Sequence, residues 1–187
     1  MADAFPSLAG RLLLAMPGMG DPRFERSVNA LFLHDAGGAF AIGIGSAITG
    51  ASLHQIMAGL DIDPGAARDL PVLAGGPVEP QRGFVIHSLD WQGEGTLVCP
   101  ALGGVTGSLD ILRAIAAGTG PERYLFALGY AGWSPGQLDG EMQRHGWHAA
   151  AGHAAVLWDT PPEKRWEAAW RAEGIDPALL ANETGRA

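Results

Sequence analysis

Cys99, six histidines and three loop clusters are the places in this chain where chemistry could be done. A cysteine nucleophile needs a base within hydrogen-bond reach and a lowered thiol pKa. Cys99 lies in TLVCP, an apolar strand end, and His87 closes a different strand. They form a pair only if the fold makes them neighbours; an inert buried thiol is the simpler reading. His145, His148 and His153 place three imidazoles within nine residues, but Gly146 falls among them and no acidic residue does. Zinc sites converge three or four ligands, so HxxH alone predicts no metal. His34 with Asp35, and His87 with Asp90, are equally thin pairs. No cofactor fingerprint joins an early strand to a long helix, and none is expected.

The loop clusters carry more. In MPGMGDPRF, Asp21 before Pro22 has the form of a helix cap, with Arg23 and Arg26 beside it. In GGPVEPQRGF, Arg82 can pair with Glu79 or Asp21 and pin the loop, or bind an anionic ligand. In GYAGWSPGQLDGE, Ser134 and Gln137 have capping-box spacing around Pro135. That helix start is then occupied by its own residues and is a poor phosphate cradle. Tyr130 and Trp133 remain as ligand contacts or core. The ligand or structural loop candidates are Asp21, Arg23, Glu79, Arg82, His87, Tyr130 and Trp133. If a cleft exists, the first two loops near the GYAGW corner should line it.

The elements that must position these groups are short. RLLLAM, SVNALFLHD and FAIGIGSAI read as strands, the third weakened by Gly43 and Gly45, which suggest a bulge or a close backbone approach. Ser52 and Gln55 predict a capped helix to about Leu60. Strands follow at 71–76, 83–87, TLVCP and 123–130, with a helix after Ser108 and another from about Pro135 to Arg144. His153–Trp158 reads as a last strand. Thr160, Pro161 and Glu163 open a helix that Gly174 ends, its Trp166 and Trp170 sharing one face that covers the sheet or meets a partner. The count is seven or eight strands and four or five helices in irregular alternation. That favours an α+β fold with a mixed or largely antiparallel sheet, strongly curved, and helices on one side.

The 187 residues suit one domain, 1–187, with an ordered core over about 8–176. Hydrophobic residues make up 47% and charged residues 17%, a folded composition, and 28 glycines with 13 prolines imply many turns. A formal charge of −8, with Lys164 the sole lysine, argues against direct nucleic-acid binding and against anionic membranes. The apolar runs are too short to span a bilayer, and no basic leader opens the chain, so the cytoplasm is expected.

Several long motifs, in order, resemble the YqgE/AlgH family of bacterial proteins: 8–28, 75–88, 106–141 and 158–176. The resemblance covers nearly the whole chain. It implies a compact α+β fold with a curved, barrel-like sheet, in a family without an established activity. Some members are labelled transcriptional regulators, in cases linked to alginate production, yet no helix-turn-helix pattern is present here. Members commonly carry an Asn-Arg-Pro-like segment after the third strand. Here Ser46, Ala47 and Ile48 stand in that place, which argues against a shared catalytic role there. The favoured reading is a non-enzymatic binding or regulatory protein acting through a protein partner or a small ligand. The alternative is a small hydrolase or ligand-modifying enzyme using Cys99, His87, Asp21 or Glu79 near a loop cleft with Arg82 and Tyr130. A third is a transcriptional regulator acting indirectly.

Overall fold

The computed structural model describes residues 6–18, 22 and 24–180. Ten strands form among them: β1 (Leu12–Ala15), β2 (Val28–Asp35), β3 (Gly38–Gly43), β4 (Ala47–Ser52), β5 (Pro71–Ala74), β6 (Val78–His87), β7 (Leu97–Cys99), β8 (Gly103–Thr106), β9 (Tyr124–Trp133) and β10 (Trp147–Ala150). The helices are α1 (Leu53–Gly59), α2 (Leu109–Ala116), α3 (Gln137–Gln143), α4 (Ala154–Trp158), α5 (Arg165–Ala172) and α6 (Pro177–Leu180). The strand order is β10-β1-β2-β3-β9-β6-β8-β7, with β4 joined to β5 and β5 to β9. Only β5 and β9 run parallel; the other ladders are antiparallel.

The fold is therefore α+β with a mixed, largely antiparallel sheet. The expected strongly curved, barrel-like sheet is corrected: the ladder is open, and its end strands β10 and β7 do not pair. Closure requires the end strands to present matching free edges. Here β7 has three residues and β10 four, which leaves few rungs to join.

Helices on one side is also corrected. Leu12, Leu14, Val28, Ala30, Ile42, Phe84, Ile86 and Ala127 share a cluster with Trp166 and Trp170 of α5. The intervening residues point the other way, as strand alternation demands. There Val85 and Phe126 pack with α1 and α2, while Leu13, Leu31 and Ala131 pack with Leu138 of α3. Gly129, at φ +75, lets β9 keep both clusters on that second face: Phe126 and Leu128 lie before it, Ala131 and Trp133 after it.

Local signals succeeded where the residues themselves form the contact. Ser52 and Gln55 make both bonds of the capping box that opens α1. Gly174, at φ +78, ends α5: its N–H reaches Arg171 O, and the Ile175 N–H reaches Trp170 O, a Schellman closure. Three expectations fail. Pro22 and residues 24–26 lie in turns, with no helix among the described residues there. FAIGIGSAI is divided into β3 and β4. Residues 154–158 are helical, and the last strand is β10.

Candidate functional site

The glycine-rich motifs hold three segments backbone to backbone. A Cβ on Gly43 would lie 2.5 Å from Ala74 O, and one on Gly75 would lie 2.2 Å from Gly129 O. Gly76, at φ +150, lies so close to Tyr130 that a Cβ would meet its carbonyl carbon at 2.1 Å. No side chain fits at such distances. The loop after β5 is thus clamped between the end of β3 and the middle of β9. Gly43 N–H to Gly75 O at 2.7 Å and Gly75 N–H to Leu128 O at 2.8 Å complete the clamp.

Beside the clamp opens a cleft of about 420 Å³. Its walls are the turn at 24–27, the 43–46 and 74–77 segments, Ala131, and Glu163, Trp166 and Glu167 around the start of α5. Phe24, Pro77 and Ala131, from the two loops and the GYAGW corner, line this cleft, while Glu79, Arg82, Tyr130 and Trp133 do not. Arg26 holds a left-handed backbone, φ +54, at its rim. Its guanidinium lies 5.4 Å from the Trp166 ring centroid and 3.6 Å from Glu167 Oε1. Trp166 is fixed from behind by its indole N–H donating to Ala15 O at 3.0 Å.

Two polar side chains lining this cleft are left open. Ser27 Oγ is buried without a hydrogen-bond partner. Asn29 is 6% exposed. It pairs in register with Gly43, so its side chain points to the side on which the 74–77 loop passes. Its carboxamide has no hydrogen-bond partner among the described residues. Buried polar groups in native proteins are almost always bonded, to protein or to ordered water.

A contiguous cleft of about 500 Å³ shares Phe24, Pro77 and Ala131 and continues past Trp133, Trp147 and Glu141. Glu141 Oε2 accepts both indole N–H groups, from Trp133 at 2.9 Å and Trp147 at 2.8 Å. Its Oε1 accepts from Gln137 at 3.1 Å. Trp133 is buried, its ring edge-on to Trp147. The Ser134 capping box forms by half: Gln137 reaches back to the Ser134 N–H at 3.0 Å. Ser134 itself caps nothing, because Gly136 at φ +72 takes the cap position.

Arg82 and Tyr130 line a different hollow of about 310 Å³. Tyr130, Phe40 and Phe84 pack as a trio with centroids 5.1–5.8 Å apart. Arg82 lies over Phe84 and bonds Glu79 at 3.2 Å. Glu79, at φ +44, is another left-handed position. Trp133 does not join this group. Asp21 and Arg23 lie outside the described residues.

His87 is fully buried in a closed chain of bonds. Its Nδ1 lies 2.9 Å from Ser88 O, which can only accept, so Nδ1 carries the proton. Nε2 then accepts from Thr106 Oγ1 at 2.9 Å. Thr106 in turn accepts from Thr96 at 2.7 Å, and Thr96 accepts from the Gly93 N–H at 3.2 Å. Burial holds the imidazole below its ordinary pKa, against the pull of the Ser88 carbonyl and Asp90. Asp90 sits below its ordinary range because Ser88 and the Glu122 N–H bond it. A Cβ at Gly104 would meet the His87 ring at 2.6 Å, so the imidazole fills a space that glycine provides.

Cys99 is buried in the cluster that also holds Ile86, the chain neighbour of His87. Adjacent strand residues face opposite ways, so thiol and imidazole lie on opposite faces. His148 and His153 converge on Glu173 from β10 and the start of α4, at 3.3 and 3.0 Å. With the Ala151 N–H they hold its carboxyl below the ordinary range, His153 contributing most. The acidic partner missing from the local sequence thus comes from the end of α5. Among the described residues no group of three or more His, Cys, Asp or Glu is placed to hold a metal ion. No helix among them is long and apolar enough to cross a membrane.

The AlgH-like family model matches residues 12–178. A UPF0301 protein of Novosphingobium aromaticivorans is 58% identical over 180 residues, covering 96% of this chain and 97% of the relative. One from Rhizorhabdus wittichii is 55% identical, covering 99% of this chain and all of the relative. The solution structure of the AlgH protein from Pseudomonas aeruginosa superposes with a TM-score of 0.79 at 37% identity, over 100% of this chain and 98% of that one. A Corynebacterium diphtheriae protein shares the fold, with a TM-score of 0.74 at 18% identity, covering 96% and 94%. The chain belongs to the AlgH-like family.

Proposed function

We propose that this member of the AlgH-like family works by binding rather than by catalysis, and that its site is the cleft between the 24–27 turn, the 74–77 loop and the start of α5. The observation that carries the reading is the Ser27–Asn29 pair: a buried hydroxyl and a side chain of a residue 6% exposed, neither hydrogen-bonded among the described residues, on the wall of a preformed cleft. A ligand that supplies those bonds gains free energy without any cost of reordering the glycine-clamped loops.

The role fits a regulator that acts on a partner. Direct DNA contact is disfavoured by the net charge of −8. Cytoplasmic placement belongs to the same reading and is supported by the unpaired Cys99. Ser46 lines the cleft, which supports a role for the IGIGSAITG stretch in ligand choice.

The test is a fragment screen by protein-observed NMR on the full chain. Binders should move the backbone amide signals of 26–29 and 74–77 together and lose that effect in Asn29→Ala. Binders that instead cluster at Arg82 and Tyr130, with the 26–29 signals silent, would sink the assignment.

A further inference from the structure

Resting on that binding role, we infer that the cleft recognises a guanidinium group, presented either by a free small molecule or by an arginine side chain of a partner protein. The cleft already holds one such group. The Arg26 guanidinium lies over the Trp166 ring and beside the Glu167 carboxylate, the geometry in which aromatic faces and carboxylates receive arginine. Arg26 reaches there from a left-handed backbone, and its side chain is 66% exposed. Its grip is that of a surface pair, worth little net, so an incoming guanidinium can displace it.

The walls favour a cation. Among the lining residues Glu25, Glu163 and Glu167 outnumber the one cation, Arg26, with Arg171 beside Glu167 and the buried Arg165 beside Glu163, and the whole chain is acidic. Charge of this sign raises the local concentration of cations. An acidic rim alone attracts any cation. Asn29, 6% exposed and on the cleft wall, adds an independent argument, because its carboxamide oxygen can accept from an N–H donor and carries no hydrogen bond among the described residues.

The experiment titrates the ¹⁵N-labelled full chain with four probes: agmatine, N-acetyl-arginine amide, N-acetyl-citrulline amide and N-acetyl-glutamate amide. The two guanidinium probes should move the Trp166 indole signal and the amides of 26–29. Citrulline, equal in shape but uncharged, should bind at least about fivefold more weakly. Agmatine alone binding would assign the free-molecule source; the blocked arginine binding as well would admit a partner's side chain.

Two exposed variants give opposite signs. Arg26→Ala should raise affinity several-fold by vacating Trp166, and Glu167→Gln should lower it. If Arg26→Ala weakens binding, or citrulline matches arginine, the inference fails. If only the citrulline or glutamate probe moves these signals, the cleft remains a binding site and its cation chemistry falls. If no probe and no fragment moves them, the binding reading falls too.

Discussion

Two buried polar regions of this molecule obey opposite rules. Around His87 every donor meets an acceptor, from the Gly93 N–H through Thr96 and Thr106 to the imidazole and on to Ser88 O. In the cleft beside α5, Ser27 Oγ and the Asn29 carboxamide meet none among the described residues. Both regions are polar and withdrawn from water, so burial alone does not separate scaffold from site. Satisfaction does. A closed chain stabilises the fold and has no bonding capacity left for a ligand; an open pair carries a desolvation cost that a ligand can recover. A histidine was the natural suspect for chemistry, yet its full bonding makes it a brace.

Arg165 is the sharpest member of the satisfied class, and removing it should have the largest effect. It is 3% exposed and donates to Ile44 O at 2.8 Å, Leu157 O at 3.0 Å and Val156 O at 3.2 Å. Burial draws its pKa down to about 10, with Glu163 pushing back, so it stays charged at neutral pH. It ties the start of α5 to α4 and to the end of β3. Arg165→Ala should cost about 3–5 kcal/mol in urea unfolding, since three buried carbonyls lose a charged donor. A cost under about 1 kcal/mol would show that water replaces the guanidinium and that the region is not closed.

Thr106→Val comes next. The shape is kept while the hydroxyl goes, which strands the His87 acceptor and the Thr96 donor. The expected loss is about 1–3 kcal/mol, read from the same unfolding curves. The cost should shrink in a Thr96→Val, Thr106→Val double variant, because one stranded donor disappears with its partner.

The pH dependence of the same brace is smaller. His87 is held below its ordinary value of 6.5 by burial. In the folded protein it stays neutral where the unfolded chain already takes up a proton. Its contribution is therefore complete above about pH 6.5 and is lost as pH falls through the folded value below that. Unfolding free energies from pH 8 to pH 5 should decline more steeply in the wild type than in His87→Gln. Parallel curves would mean that the imidazole charges in place and the chain of bonds is not closed.

How much of this was legible in the sequence follows the range of the interactions. The α1 capping box, the α5 stop at Gly174 and the close approach at Gly43 were readable because each is written in neighbouring residues or in a residue type with one physical use. The strands GGVT and WHAA were not, because a four-residue strand is made by its partners: β8 by β6 and β7, and β10 by β1. HAAVLW read as a strand because a short apolar run fits either period; its place over the sheet beside α5 decides for helix. The candidates Arg82 and Tyr130 line one hollow, with Trp133 elsewhere. Trp166 stands in the sequence only as a residue that covers the sheet or meets a partner. Ser27 and Asn29 carry no site signal there beyond the place of Asn29, a polar residue inside the apolar strand VNALF. That its amide goes unbonded depends on Gly43 and the 74–77 loop, far away in sequence.

Asn29→Leu should have the smallest effect on stability and therefore tests the comparison most directly. The side chain is 6% exposed, and in a satisfied region such a change would cost a few kcal/mol. Here it removes a polar group that makes no bond among the described residues and adds apolar surface beside Leu13 and Gly43, its cross-strand neighbours. The expected outcome is a free energy within about 1 kcal/mol of wild type, or a gain. Ligand binding in the cleft should be lost in the same variant. Stability kept while recognition disappears is the signature of a residue maintained for something outside the chain. A loss of about 2 kcal/mol or more would place Asn29 with His87 among the braces.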